Sequence, residues 1–98
     1  MTSLKSRIHI PEDVLYHDLN GEAVLLNLKS GKYFSLDAVG TRMWTLLAEN
    51  GQLEPAFQAM LKEYNVDEQT LNRDLIALID RLSAQGLLIV DQDSISYE

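Results

Sequence analysis

The sequence predicts an α+β fold in which a three-stranded antiparallel meander leads into a three-helix bundle. Three observations carry this. Two turn signals, Asn20-Gly21 and Lys29-Ser30-Gly31, separate three short stretches that alternate as strands do. After Asp37 the apolar spacing changes from two residues to three and four, the period of a helix. Helix start and stop residues then recur in order: Asp37 and Gly51, Pro55, Asp67 and Gly86.

The first strand spans Val14 to Leu19. The Asn-Gly turn follows, because both residues tolerate positive φ. The second strand spans Glu22 to Leu28, with Val24, Leu26 and Leu28 on one face and Ala23, Leu25 and Asn27 on the other. The third spans Lys32 to Leu36, with Phe34 and Leu36 opposite Tyr33 and Ser35. In such a meander the middle strand is paired twice, so the outer two each keep a free edge.

Asp37 caps the first helix, which runs to Asn50 with Val39, Met43, Leu46 and Leu47 on its apolar side and Trp44 beside them. Pro55 suits the first turn of the second helix, which carries Phe57, Met60, Leu61 and Tyr64. Asp67 caps the third, with Val66 and Leu71 placed as a hydrophobic staple. The stretches "LLIV" and "SISY" are expected to form a short C-terminal hairpin around Asp91-Gln92-Asp93. The first seven or so residues and the last few are expected to be mobile.

The third helix carries its core stripe on Leu71, Leu75, Leu78 and Leu82. Ile79 sits on the shoulder of that stripe. Ile76 lies about 120° from its centre, near Asn72 and Ser83, while the opposite shoulder is Thr70, Asp74, Ala77 and Arg81. Ile76 either packs on a neighbouring element or forms part of an exposed apolar surface.

The 98 residues fit one domain, residues 1–98, with its core over about 8–90. There is no cysteine, hence no disulfide framework or thiolate metal site. No signal peptide and no apolar run near the roughly 20 residues of a membrane span is visible. A soluble, cytoplasmic protein is the expectation. The formal net charge of -7 does not favour a phosphate backbone as partner.

Chemistry is not encoded in a recognisable pattern. His9 and His17 are the only histidines, and no serine lies in a G-x-S-x-G elbow. The pairs Glu12-Asp13 and His17-Asp18 match no established ligand spacing and read as solvated strand surface. No Gly-rich loop cradles a phosphate, so neither an enzyme nor a cofactor is expected. The element order also fits a winged helix-turn-helix, which makes a DNA-binding regulator the alternative. Its reading helix, Asp67 to Gln85, would carry four acids and two arginines, a net of -2, which is poor chemistry for a groove. An interaction module remains. The free edge of the third strand can accept an extended peptide as an added strand, and Ile76 and Ile79 could line a groove beside it if the third helix packs there.

Two stretches sharpen this: "EAVLLNLKSGKYFSLDAVGTRMWTLL" (22–47) and "LKEYNVDEQTLNRDLIALIDRLSAQGLL" (61–88). Their ordered set is an apolar strand, a Gly turn, an aromatic strand, Leu-Asp, a helix with Trp, and a third helix closing on Gly-Leu-Leu. It resembles the PqqD-like family of precursor-peptide recognition elements. The resemblance runs from about Ile8 to Val90. It implies a winged-helix-like, non-catalytic domain. Such a domain binds the leader of a ribosomally made, post-translationally modified peptide (a RiPP) as an extra strand against the third strand, in a cleft bordered by the third helix. It then presents the precursor to a modifying enzyme or leader peptidase. The strand residues it implies are Lys32, Tyr33, Phe34, Ser35 and Leu36. On the third helix, the surface reading selects Asn72, Ile76, Ile79, Asp80 and Ser83. Members serving pyrroloquinoline quinone synthesis usually show a Pro-Glu pair near the second turn. Here "LNLKSGKYFSLD" looks more like the stand-alone proteins of lasso-peptide clusters.

Overall fold

The computed structural model describes residues 3–91. The elements are β1 (Arg7–His9), β2 (Val14–Leu19), β3 (Glu22–Asn27), β4 (Tyr33–Ser35), α1 (Ala38–Asn50), α2 (Leu53–Glu63), α3 (Glu68–Ala84) and β5 (Ile89–Asp91). Strands β2, β3 and β4 form the expected antiparallel meander in that spatial order. Asn20 and Gly21 both hold positive φ, 59° and 88°, the geometry of a tight hairpin whose twist matches its strands. Asp18 braces this turn by accepting the Gly21 N–H at 2.7 Å.

Register decides which face is buried. Tyr16 pairs with Leu25, and Leu25 with Phe34, so these side chains share the inner face. Ala23, Leu25 and Asn27 are buried there, while Val24, Leu26 and Leu28 point outward. Helix α1 covers the inner face. Thr41 ties it down, its Oγ1 accepting the Ala23 N–H at 2.8 Å and donating to the Leu36 carbonyl at 3.4 Å. Because Asp37 follows Leu36 directly and caps α1 through the Gly40 N–H at 2.8 Å, β4 is held at both its pairing partner and its exit.

The helices bury one joint core that includes Leu47, Leu53, Met60, Leu75, Leu82 and Leu87. Asp67 caps α3 as expected, accepting the Thr70 N–H at 3.1 Å. Arg42 of α1 makes a two-pronged bond to Glu63 of α2, at 2.8 and 2.6 Å, and this donor holds the Glu63 carboxyl below its usual range. Both side chains are exposed, so the pair orients the two helices rather than supplying much stability. Val39 departs from its expected place in the core. It sits in the first turn of α1, at the corner where β4 leads into the helix, and is exposed. No helix among the described residues is long and apolar enough to cross a membrane.

The two chain ends differ from expectation. Arg7–His9 is a strand, paired antiparallel with Ile89–Asp91 (Ile8 opposite Val90), and Ser6 and Ile8 are buried. The N-terminal stretch is further anchored by Ile8 N–H to Gly51 carbonyl at 2.9 Å and Leu53 N–H to Ser6 carbonyl at 3.3 Å. A three-residue strand with one inward side chain has no readable periodicity, and its partner lies some eighty residues away. Of the expected C-terminal hairpin, Leu87 and Leu88 close the core and Ile89–Asp91 pairs with β1, while "SISY" lies outside the described residues.

Candidate functional site

The free edge of β4 has a definite set of unpaired backbone groups. The Lys32 carbonyl accepts the Asn27 N–H at 2.9 Å, and the Leu36 N–H donates to the Ala23 carbonyl at 2.8 Å. Successive residues of a strand direct their backbone groups to opposite sides. Phe34, between them, therefore also faces β3, and the N–H and C=O of Tyr33 and Ser35 face outward. The described residues place no strand beside them.

The wall beside this edge comes from α3. Arg81 lies over the Phe34 ring, its guanidinium carbon 5.5 Å from the centroid. Next to it, Asp37, Val39, Gly40 and Met43 from the β4–α1 corner meet Asp74, Leu78 and Arg81 around a hollow of about 200 Å³. The distance between the two walls is set at the other end by Asn27. Its Nδ2 donates to the Gly86 carbonyl at 2.9 Å, just past α3. Its Oδ1 accepts the Lys29 and Ser30 N–H groups at 2.9 and 3.2 Å, which shapes the β3–β4 turn. Asn27→Ala should lower the unfolding free energy by about 1–2 kcal/mol, because the Gly86 carbonyl loses a part-buried donor, while water can replace the acceptor for the exposed Lys29 and Ser30 amides. Chemical denaturation reads this directly, and a change under about 0.5 kcal/mol would show that the turn and α3 hold together without it.

The expected helix residues do not join this groove. Around α3, Asn72, Ile76 and Ser83 are turned about 140–180° from Asp74 and Arg81, and Asp80 about 100–120°. Asn72 lines a different hollow, with Leu4, Phe57, Glu68 and Gln69, where its Oδ1 is buried without a hydrogen-bond partner. Ile76 is half-buried, and Ser83 and Asp80 are exposed. Ile79 has 0% exposure and belongs to the core, so it presents no surface. The expected pairing of β4 with Ile76 and Ile79 is thus corrected: α3 meets β4 through the shoulder expected to be polar or small, Asp74 and Arg81 with Leu78. A sequence cannot say which shoulder of an amphipathic helix adjoins a strand, since both flank the same core stripe. Along this edge Tyr33, Ser35 and the flanking Lys32 are exposed and Phe34 is half-buried. Leu36, 4% exposed, turns its N–H to the Ala23 carbonyl and its carbonyl to Thr41, and so offers the edge neither side chain nor backbone, a correction to its expected place in the site.

A second, larger groove of about 380 Å³ flanks the other free edge, β2. Ile10, Val14, Tyr16, Trp44, Thr45, Ala48 and Glu49 line it. On the outer side of α3, the exposed charges are Glu68, Arg73, Asp74, Asp80 and Arg81, three acids against two bases, with no positive face. Among the described residues, no three His, Asp or Glu side chains converge as a metal site would require.

The family model described as Coenzyme PQQ synthesis protein D (PqqD) matches residues 22–88. The chain belongs to the PqqD family. Two solved structures share its fold. TbiB1 in complex with the TbiA(beta) leader peptide is 38% identical, with a TM-score of 0.78 over 90% of this chain and 99% of that one. Lasso peptide synthetase B1 complexed with the leader peptide is 22% identical, with a TM-score of 0.76 over 85% and 98%, and at that identity it speaks to the fold alone. None of the curated protein sequences matches significantly. The span common to the PqqD family begins at Glu22. It therefore includes β3, β4 and all three helices, and so both walls of the β4 groove. Ile10, Val14 and Tyr16 of the β2 groove fall before it.

Proposed function

We propose that this chain is a non-catalytic RiPP recognition element of the lasso-peptide type, acting in the cytoplasm. It binds the leader of a precursor peptide by strand addition and delivers it to a modifying enzyme or leader peptidase. The observation that carries this is the row of outward N–H and C=O groups on Tyr33 and Ser35 beside a groove walled by α3. An added strand completes those bonds at little cost, because the edge is already extended. Its alternate side chains then turn inward toward Phe34, Leu78 and Arg81. The solved leader complex of TbiB1, a similar protein, supports the same reading, as does the absence of a Pro-Glu pair at the second turn.

Hydrogen exchange tests it. A synthetic leader of the cognate precursor should protect the Tyr33 and Ser35 amides, with smaller shifts at Leu78 and Arg81. The larger groove gives β2 its own claim as a docking edge. Protection confined to Val14–Leu19 would move the leader there, and protection at neither edge would reject strand addition.

A further inference from the structure

The face of the meander turned away from the helices is apolar where a solvent face is ordinarily polar. Leu15, Leu26 and Tyr33 are direct cross-strand neighbours, so they form one row across all three strands. Leu28, next in the alternation just past β3, extends it, and Val24 lies in the adjoining row between His17 and Ser35. Leu15, Leu28 and Tyr33 are 50%, 55% and 72% exposed. None of them serves the core.

We infer that this sheet face is the docking surface for the enzyme that processes the bound precursor, and that a docked leader enlarges it. This rests on the strand-addition reading above. Three arguments choose the occupant. The face is continuous with the leader edge: Tyr33 belongs to β4, so a leader strand would stand beside it as a fourth member of the Leu15–Leu26–Tyr33 row. The area is small. Two six-residue strands and the three-residue β4, about 4.8 Å apart, give roughly 240 Å², well under the ~800 Å² per partner of a stable complex. Such a patch suits a transient partner rather than a permanent dimer. Charge points the same way, since two copies at -7 repel, whereas a partner with an apolar patch in a basic surround is attracted.

A composite surface has a thermodynamic consequence. If the enzyme touches both the sheet face and the leader's outward side chains, it binds the loaded domain more tightly than the empty one. By linkage, the enzyme tightens the leader by the same factor. The domain thereby hands over precursor rather than occupying the enzyme when empty.

The test uses the double variant Leu15→Lys/Leu28→Lys, whose positions lie outside the leader edge. Its thermal midpoint and its affinity for a labelled leader should stay near wild type. Its affinity for the purified enzyme that processes the cognate precursor should fall at least about tenfold. With the wild-type chain, saturating leader should tighten enzyme binding about fivefold or more. Unchanged enzyme affinity in the double variant overturns the docking face, and enzyme affinity indifferent to leader overturns the composite surface. If the variant unfolds, Leu15→Ser with Leu28→Ser gives the same readouts. Sedimentation adds one further outcome: a wild-type dimer that the variant dissolves would assign the face to a second copy. A wild-type chain that binds no leader defeats the proposed function, while its leader-free affinity for the enzyme still decides the face.

Discussion

Replacing Ser35 with proline should weaken leader binding by at least about tenfold, or roughly 1.4 kcal/mol, while shifting the thermal midpoint little. The Ser35 N–H points away from β3, so the meander does not use it. Proline lacks that N–H yet is tolerated on an edge strand. The leader carbonyl that would have accepted it is left buried and unpaired, a penalty of about 1–3 kcal/mol. Phe34→Pro is the control. Phe34 faces Leu25 across the ladder, so losing its N–H should loosen the β3–β4 hairpin and lower the midpoint. Fluorescence anisotropy with a labelled leader and thermal melting of both variants provide the comparison. Wild-type affinity in Ser35→Pro would show that the leader does not pair with β4.

The largest effect on the molecule itself is expected from Leu75→Asp. Leu75 has 0% exposure on the core stripe of α3. A carboxylate there has no partner, and an unpaired buried charge costs several kcal/mol, comparable with the 5–15 kcal/mol of a whole domain's stability (roughly). The variant should be unfolded at room temperature by circular dichroism. Ile76→Asp, one residue on, is the informative neighbour. Ile76 is half-buried and turned away from Arg81, so the change should leave the fold in place and the leader affinity within about twofold of wild type. A large loss of affinity without unfolding would bring the leader to the Asn72–Ile76–Ser83 side of α3 and overturn the β4 groove as described. Unfolding as complete as in Leu75→Asp would place Ile76 in the core.

The meander, the alternation along its strands and the helix caps were legible because each depends on residues close in sequence. Asn20-Gly21 encodes a hairpin locally, Asp37 and Asp67 encode helix starts, and the period of the apolar residues distinguishes strand from helix. Those signals also carried the resemblance to the PqqD family, since its motif follows the same order of turns, aromatics and caps. Which edge residues expose their backbone followed from the alternation once the pairing was known. Other features needed the assembled chain. The β1–β5 pair joins two three-residue strands from opposite ends, too short for either to show a period. The packing angle of α3 was decided by contacts that no local pattern records: Asn27 with the Gly86 carbonyl, and Arg81 over Phe34. A helix with one core stripe can be rolled toward either shoulder without changing its sequence pattern. Only the neighbours it packs against choose the shoulder, and here they set Asp74, Leu78 and Arg81 beside the free strand and turned Ile76 away.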